Sequence, residues 1–167
     1  MIPELFVKTY LPYAKAVEYE TKISAIAIMA QAALESGWGE KAVGNMMFGV
    51  KASLSTPENK RQLITTTEYL KVPNAKFPVV ISVTKQPNGL YKYKVKDWFR
   101  KYDSPEESFL DHAKFFLTNP RYAEALKVKS DPYAFCDAIA AAGYATDPNY
   151  SQVLRDMVKS ITKRLPK

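Results

Sequence analysis

The sequence predicts an α+β fold, mostly helical around one central helix, with a small antiparallel β-hairpin lobe inserted midway. Three observations predict it. Residues 24–36, SAIAIMAQAALES, are apolar on nearly every face of a 3.6-residue period, as in a helix enclosed by others. Between Leu63 and Val95 that period gives way to β-branched and aromatic runs, broken by the turn sequence Pro87-Asn88-Gly89. Helix-start signals then return at Asp103 and recur toward the C-terminus. A chain of 167 residues without internal repeats is long enough for one domain with a substantial core. The expectation is therefore a single domain over 1–167, with the β-rich lobe near 61–97.

In chain order, residues 4–19 read as a first helix. Leu5, Phe6, Tyr10, Tyr13, Ala14 and Val17 supply its apolar contacts, and Pro12 is expected to kink or split it. The central helix follows, with Thr21 or Ser24 as cap and Gly37 as a left-handed terminator. Residues 40–44 form a turn or short helix before Asn45. Strands are expected at Leu63–Leu70, Val79–Thr84 and Leu90–Val95. Trp98 to Tyr102 then lead to a helix capped by Asp103 or Ser104, with Pro105 in its first turn and Phe109, Ala113 and Phe116 inside. Leu117 is expected on that packing side, and Ala123 and Leu126 in the core of the short segment that follows. Asp131-Pro132 starts another helix that stops at Gly143. Asp147 is expected to cap the last helix, with Pro148 at its first position and Tyr150, Val153, Leu154, Met157, Val158 and Ile161 on the packing side.

Composition narrows the function classes. Lysine and arginine total 24 against 17 aspartates and glutamates, so the net charge of +7 favours anionic partners. Lys92, Lys94 and Lys96 alternate onto one strand face, which is either a solvated sheet surface or an anion-facing one. No base-reading or stacking motif accompanies the charge, so no specific nucleic acid is expected. The one cysteine, Cys136, lies in an apolar helical pattern and reads as an inert core thiol. The one histidine, His112, reads as a helix-surface or partly buried residue, and no metal cluster or cofactor motif is visible. The start of the chain has no secretory pattern, and the central helix is too short for a membrane span. Action outside a cell would then need lysis-assisted or machine-assisted delivery, or a leader removed from the sequence.

One residue of the central helix carries a chemical implication. Glu35 stands in the last turn of an apolar helix, where the helix dipole opposes negative charge and partial burial beside Trp38 would do the same. Both raise a carboxyl pKa, which is the requirement for a general acid at neutral pH. The alternative is a solvated last-turn glutamate. Asn45 and Phe48-Gly49 either shape a ligand-facing wall or form a compact loop. Glu68, in ITTTEYL, is the carboxylate that the strands would carry to the border of a cleft, or simply a strand charge. Tyr144, at a helix exit, either packs or points its hydroxyl into a cleft.

Five passages go further: AQAALESGWG at Ala30–Gly39, NMMFGVK at Asn45–Lys51, TTTEY at Thr65–Tyr69, NPRYAEAL at Asn119–Leu126 and AGYATDPNYSQVL at Ala142–Leu154. In this order they resemble the bacterial and phage peptidoglycan-hydrolysing β-N-acetylglucosaminidases related to the flagellar hydrolase domain, glycoside hydrolase family 73-like enzymes of the lysozyme-like superfamily. The methionine of NMMF replaces a leucine common in that family. The resemblance implies a lysozyme-like fold and cleavage of the β-1,4 bond between N-acetylglucosamine and N-acetylmuramic acid. It makes Glu35 the general acid, Glu68 the second carboxylate and Tyr144 an active-site tyrosine, with Asn45, Phe48, Trp38 and Tyr122 as substrate-binding positions. The alternatives are an N-acetylmuramidase or lytic transglycosylase, or a noncatalytic cell-wall glycan-binding domain. The partners implied are peptidoglycan glycan strands and an anionic cell-wall polymer, met by a monomer at the bacterial wall or in an extracellular or periplasmic space.

Overall fold

The computed structural model describes residues 1–167. The architecture is the α+β, mostly helical, lysozyme-like one expected, with six α-helices and a three-stranded antiparallel lobe. The chain divides into two compact units, residues 1–48 with 102–167, and residues 49–101.

The helical unit is built on α2 (Ala25–Ser36), which packs against α1 (Pro3–Thr21), α5 (Pro132–Ala141) and α6 (Tyr150–Thr162). Its alanines let those neighbours close in: Ala27, Ala30 and Ala32 are wholly buried together with Met29. Ser24 caps the start by accepting from the Ala27 N–H at 3.2 Å. Gly37, at φ 57°, ends the helix in the left-handed region that glycine enters without a Cβ penalty.

Elsewhere in this unit the elements depart from expectation in detail. Pro12 lies inside a continuous α1 and splits nothing. Leu5 is exposed, while Val7 and Leu11 join Phe6, Ala14 and Val17 in the core, so the buried stripe runs along a slightly rotated face. In α3 (Pro105–Thr118) Ser104 is the cap, accepting from the Glu107 N–H at 3.3 Å. Phe109, Ala113 and Phe116 are buried there, Leu117 is exposed, and His112 is fully buried rather than at the surface or partly buried. In the turn Pro120–Tyr122 and the short α4 (Ala123–Leu126), Tyr122 and Ala125 point inward and Ala123 outward. Helix α5 is capped by Asp131, whose carboxylate accepts from Tyr133 and Ala134. The last helix starts at Tyr150, later than Pro148, because the Asp147 side chain accepts from the Asn149 N–H at 2.9 Å and closes a turn ahead of it.

The other unit is a sheet in the order β1-β3-β2, with β1 (Arg61–Leu70), β2 (Val79–Lys85) and β3 (Tyr91–Arg100) all antiparallel. Strand β3 continues past its expected end at Val95 because β1 pairs with it throughout, from Arg61 opposite Arg100 to Leu70 opposite Tyr91. Trp98 and Phe99 are therefore strand residues. Along β3 the pleat sends Tyr93 and Val95 inward and Lys92, Lys94 and Lys96 outward, the one-sided array expected of them. Strand β2 is an edge, and all seven of its residues are exposed.

Candidate active site

Glu35 occupies the last turn of α2, half-buried where the chain is about to turn away at Gly37. Opposite it, the first residue of α6 brings in a phenol: the Tyr150 hydroxyl donates to Glu35 Oε1 at 3.3 Å. Burial pushes the Glu35 pKa above the ordinary carboxyl value, and the Tyr150 hydrogen bond pulls more weakly the other way. The dominant cause is thus desolvation. Trp38, expected beside Glu35, takes φ 56° and sets its ring edge-on to Phe6 at 5.4 Å, under the Arg164 guanidinium. An aromatic group that meets the carboxyl directly is Tyr150.

Tyr144 joins them. Helix α5 ends at Ala141, and Gly143, at φ 86°, turns the chain so that Tyr144 lies over the α6 start, its ring stacked on Tyr150 at 5.6 Å and 14°. Phe116 at 5.8 Å, His112 at 6.2 Å and Tyr122 at 6.3 Å wall it on other sides. Burial, and then the Glu35 charge, raise the Tyr144 hydroxyl pKa, so the phenol stays protonated and shares one electrostatic field with the carboxyl. Tyr150 is raised by the same two causes. The arrangement can hold a proton on Glu35 and offer phenolic hydrogen bonds beside it.

The remaining expected positions fall into two groups. Phe48 and Tyr122 are buried, Phe48 flat against His112 at 3.8 Å and Tyr122 edge-on to Phe116 at 5.0 Å, so both support the site from beneath. Asn45 is half-buried at φ 57°, and its amide donates to the Tyr102 carbonyl at 3.0 Å, shaping the loop ahead of Met46 and Met47.

Within the sheet unit, Glu68 projects from β1 with 27% of its side chain exposed. Lys51 Nζ donates to Glu68 Oε1 at 2.9 Å and lies 3.4 Å from Asp97 Oδ2 on β3. Burial lowers the Lys51 pKa, but the two carboxylates outweigh it and hold the ammonium above its usual value. Lys51 and Asp97 escaped sequence reasoning, although Lys51 closes the NMMFGVK passage. So did Tyr150 as a polar partner, and Gln31 and His112 beneath it; the one signal for Gln31 was a lone amide in an apolar helix, four residues before Glu35. No three His, Cys, Asp or Glu side chains converge in a geometry that could hold a metal ion, and no helix is long and apolar enough to cross a membrane.

Comparison with known proteins extends this geometry. The family model described as mannosyl-glycoprotein endo-beta-N-acetylglucosaminidase matches residues 11–163. The peptidoglycan hydrolase FlgJ of Vibrio parahaemolyticus is 33% identical over 165 residues, covering 95% of this chain and 47% of that protein. FlgJ of Vibrio cholerae is 36% identical over 157 residues, covering 90% and 41% respectively. This chain therefore spans less than half the length of these curated relatives. Among solved structures, a C-terminally truncated glycoside hydrolase domain of Salmonella typhimurium FlgJ superposes with a TM-score of 0.73 at 31% identity, covering 97% of this chain and 99% of that one.

Proposed function

The chain belongs to the glucosaminidase family of glycoside hydrolases, related to the FlgJ peptidoglycan hydrolases, and on that premise we propose that it hydrolyses the β-1,4 bond between N-acetylglucosamine and N-acetylmuramic acid in peptidoglycan. Glu35 is the general acid. The observation that carries this assignment is a desolvated carboxyl that keeps its proton to higher pH, with the Tyr150 hydroxyl on one of its two oxygens. A glycosidic oxygen is a poor leaving group until it is protonated, and the positive charge that develops on the sugar ring must be stabilised as the bond breaks.

Glu68 is the second carboxylate of the proposal. Lys51 Nζ holds Glu68 Oε1 at 2.9 Å, and a carboxylate fixed in this way suits a base that activates water on the face opposite the acid and inverts the anomeric centre. The alternative route uses the substrate's own N-acetyl carbonyl as nucleophile, with retention and without a chemical role for Glu68. Tyr144 then orients the acetamide or the reacting sugar, and Asn45 and Trp38 contribute at the rim of the site. Residues 1–167 act as one catalytic domain in this proposal, a monomer whose exposed Lys92, Lys94 and Lys96 hold it to anionic wall polymer. Its place of action is the bacterial wall or an extracellular or periplasmic space.

Glu35→Gln keeps the fold and lowers peptidoglycan hydrolysis by about 10²–10⁴-fold, the usual contribution of a general acid. Normal turnover by that folded variant would remove Glu35 from the chemistry. Glu68→Gln with undiminished turnover would select the substrate-assisted route. Mass analysis of the wall fragments reads the bond: a new reducing-end N-acetylglucosamine supports the glucosaminidase assignment, N-acetylmuramic acid a muramidase, and an anhydromuramyl end a lytic transglycosylase. Saturable binding without new ends would mark a noncatalytic glycan-binding domain.

A further inference from the structure

One turn before Glu35, Gln31 is wholly buried in an otherwise apolar helix. An amide carries an acceptor and two donors, and burying them without partners is costly. Gln31 Oε1 faces His112 Nε2 at 2.8 Å, while the amide nitrogen makes no hydrogen bond of ordinary geometry. The Gln31 side chain also acts on the Tyr150 hydroxyl, whose ionised form it favours, as an N–H turned toward that oxygen would. That same hydroxyl donates to Glu35 Oε1.

His112 is held as firmly as a core side chain, parallel to Phe48 at 3.8 Å and 6° and edge-on to Phe116 at 4.7 Å. Burial pushes its pKa down to about 3, so the ring is neutral through the ordinary pH range and owns a single N–H. With a carbonyl oxygen opposite Nε2, that hydrogen belongs on Nε2. The reverse amide orientation would put N–H groups against His112 and the carbonyl toward Tyr150. The phenol hydrogen would then turn to Gln31, and Glu35 would lose its donor.

We propose that His112 and Gln31 are positioning residues for the acid: His112 fixes which way the Gln31 amide faces, Gln31 presents N–H to the Tyr150 oxygen, and the phenol hydrogen is thereby turned onto Glu35 Oε1. The acid proton is left to Oε2. This rests on Glu35 being the acid and says which of its oxygens delivers the proton. The titratable groups around Glu35 are Tyr150 from α6 and Tyr144 from the loop after α5, while His112 is faced by Phe48, Phe115, Phe116, Tyr144 and Gln31, with no charge among them.

Two measurements on the full chain without glycan test the relay. Nitrogen-15 NMR of His112 in the unaltered protein is expected to show the neutral Nε2–H tautomer from about pH 5 to 8. An Nδ1–H tautomer or an imidazolium in that range would overturn the proposal. Carbon-13 NMR then follows the Glu35 carboxyl titration in variants. Tyr150→Phe removes the hydrogen bond to the carboxylate and shifts the titration upward; His112→Phe and Gln31→Met shift it in the same direction, and His112→Phe with Tyr150→Phe shifts it no further than Tyr150→Phe alone. His112→Gln, which restores an N–H near the place of Nε2–H, returns the unaltered titration. A folded His112→Phe variant whose Glu35 titrates as in the unaltered protein would refute the relay, and if that variant does not fold, the tautomer measurement decides. Neither measurement needs turnover, so an inactive protein counts against the proposed function while an unmoved Glu35 titration counts against the relay.

Discussion

Glu35 sets the pH behaviour of the protein in two ways. Burial raises its pKa in the folded state, so the native protein binds this proton more tightly than the unfolded chain. Its contribution to stability is therefore fully present below the unfolded carboxyl value and is lost as pH rises through the folded one. Glu35→Gln removes that loss, and we expect its melting temperature to exceed that of the unaltered protein at neutral pH, with the gap closing in acid. A gap that stayed constant with pH would show that the carboxyl is not desolvated. At this scale the sequence revealed Glu35, a carboxylate in an apolar helix, but not its surroundings. Tyr150 lies 115 residues from Glu35 and His112 lies 81 from Gln31, so no local pattern links them. The sequence pattern makes Tyr150 a packing residue, and its ring does pack; only the fold shows where the hydroxyl goes.

The ends of α2 matter because Glu35 is in its last turn. Ser24→Ala deletes the cap bond to Ala27 and is expected to cost about 1 kcal/mol, read as a lower urea midpoint with an unchanged slope. Gly37→Ala is expected to cost about 1–2 kcal/mol, because a Cβ there has room, with only Lys41 carbons at 4.0 Å, yet must adopt φ 57°. If Gly37→Ala were neutral, the helix would have another way to end. Caps made these bounds readable in advance, since Ser24, Ser104 and Asp131 act on donors within three residues. Strand ends lacked such a signal. The length of β3 is set by pairing with β1, and a strand's partner is not written in its own residues. Asp147 misled for a related reason: it has the right chemistry for a cap, but it serves the turn before the helix.

For the molecule as a whole, native-state hydrogen exchange is expected to rank the elements. Amides of α2, enclosed by three helices, should exchange slowest, and those of β2, an edge strand with every residue exposed, fastest. Equal protection of the two would mean that the chain opens only as one cooperative body. Replacing Lys92, Lys94 and Lys96 by glutamine should weaken retention on anionic wall polymer and flatten its dependence on salt, as a pull-down across ionic strengths would show. The overall fold class was readable from the change of hydrophobic period alone, because period reports burial face by face. The division into two compact units was not, because it depends on which residues meet in space.

Cys136 is fully buried, and burial pushes its thiol pKa up to about 12, so it offers almost no thiolate to a reagent at neutral pH. The protein is thus chemically silent toward maleimides and methanethiosulfonates. A cysteine engineered at any exposed position would take a fluorophore or spin label alone, with no native thiol to remove first. Pairs of such labels, one on the helices and one on the sheet, would turn the response to added glycan into a ruler reading.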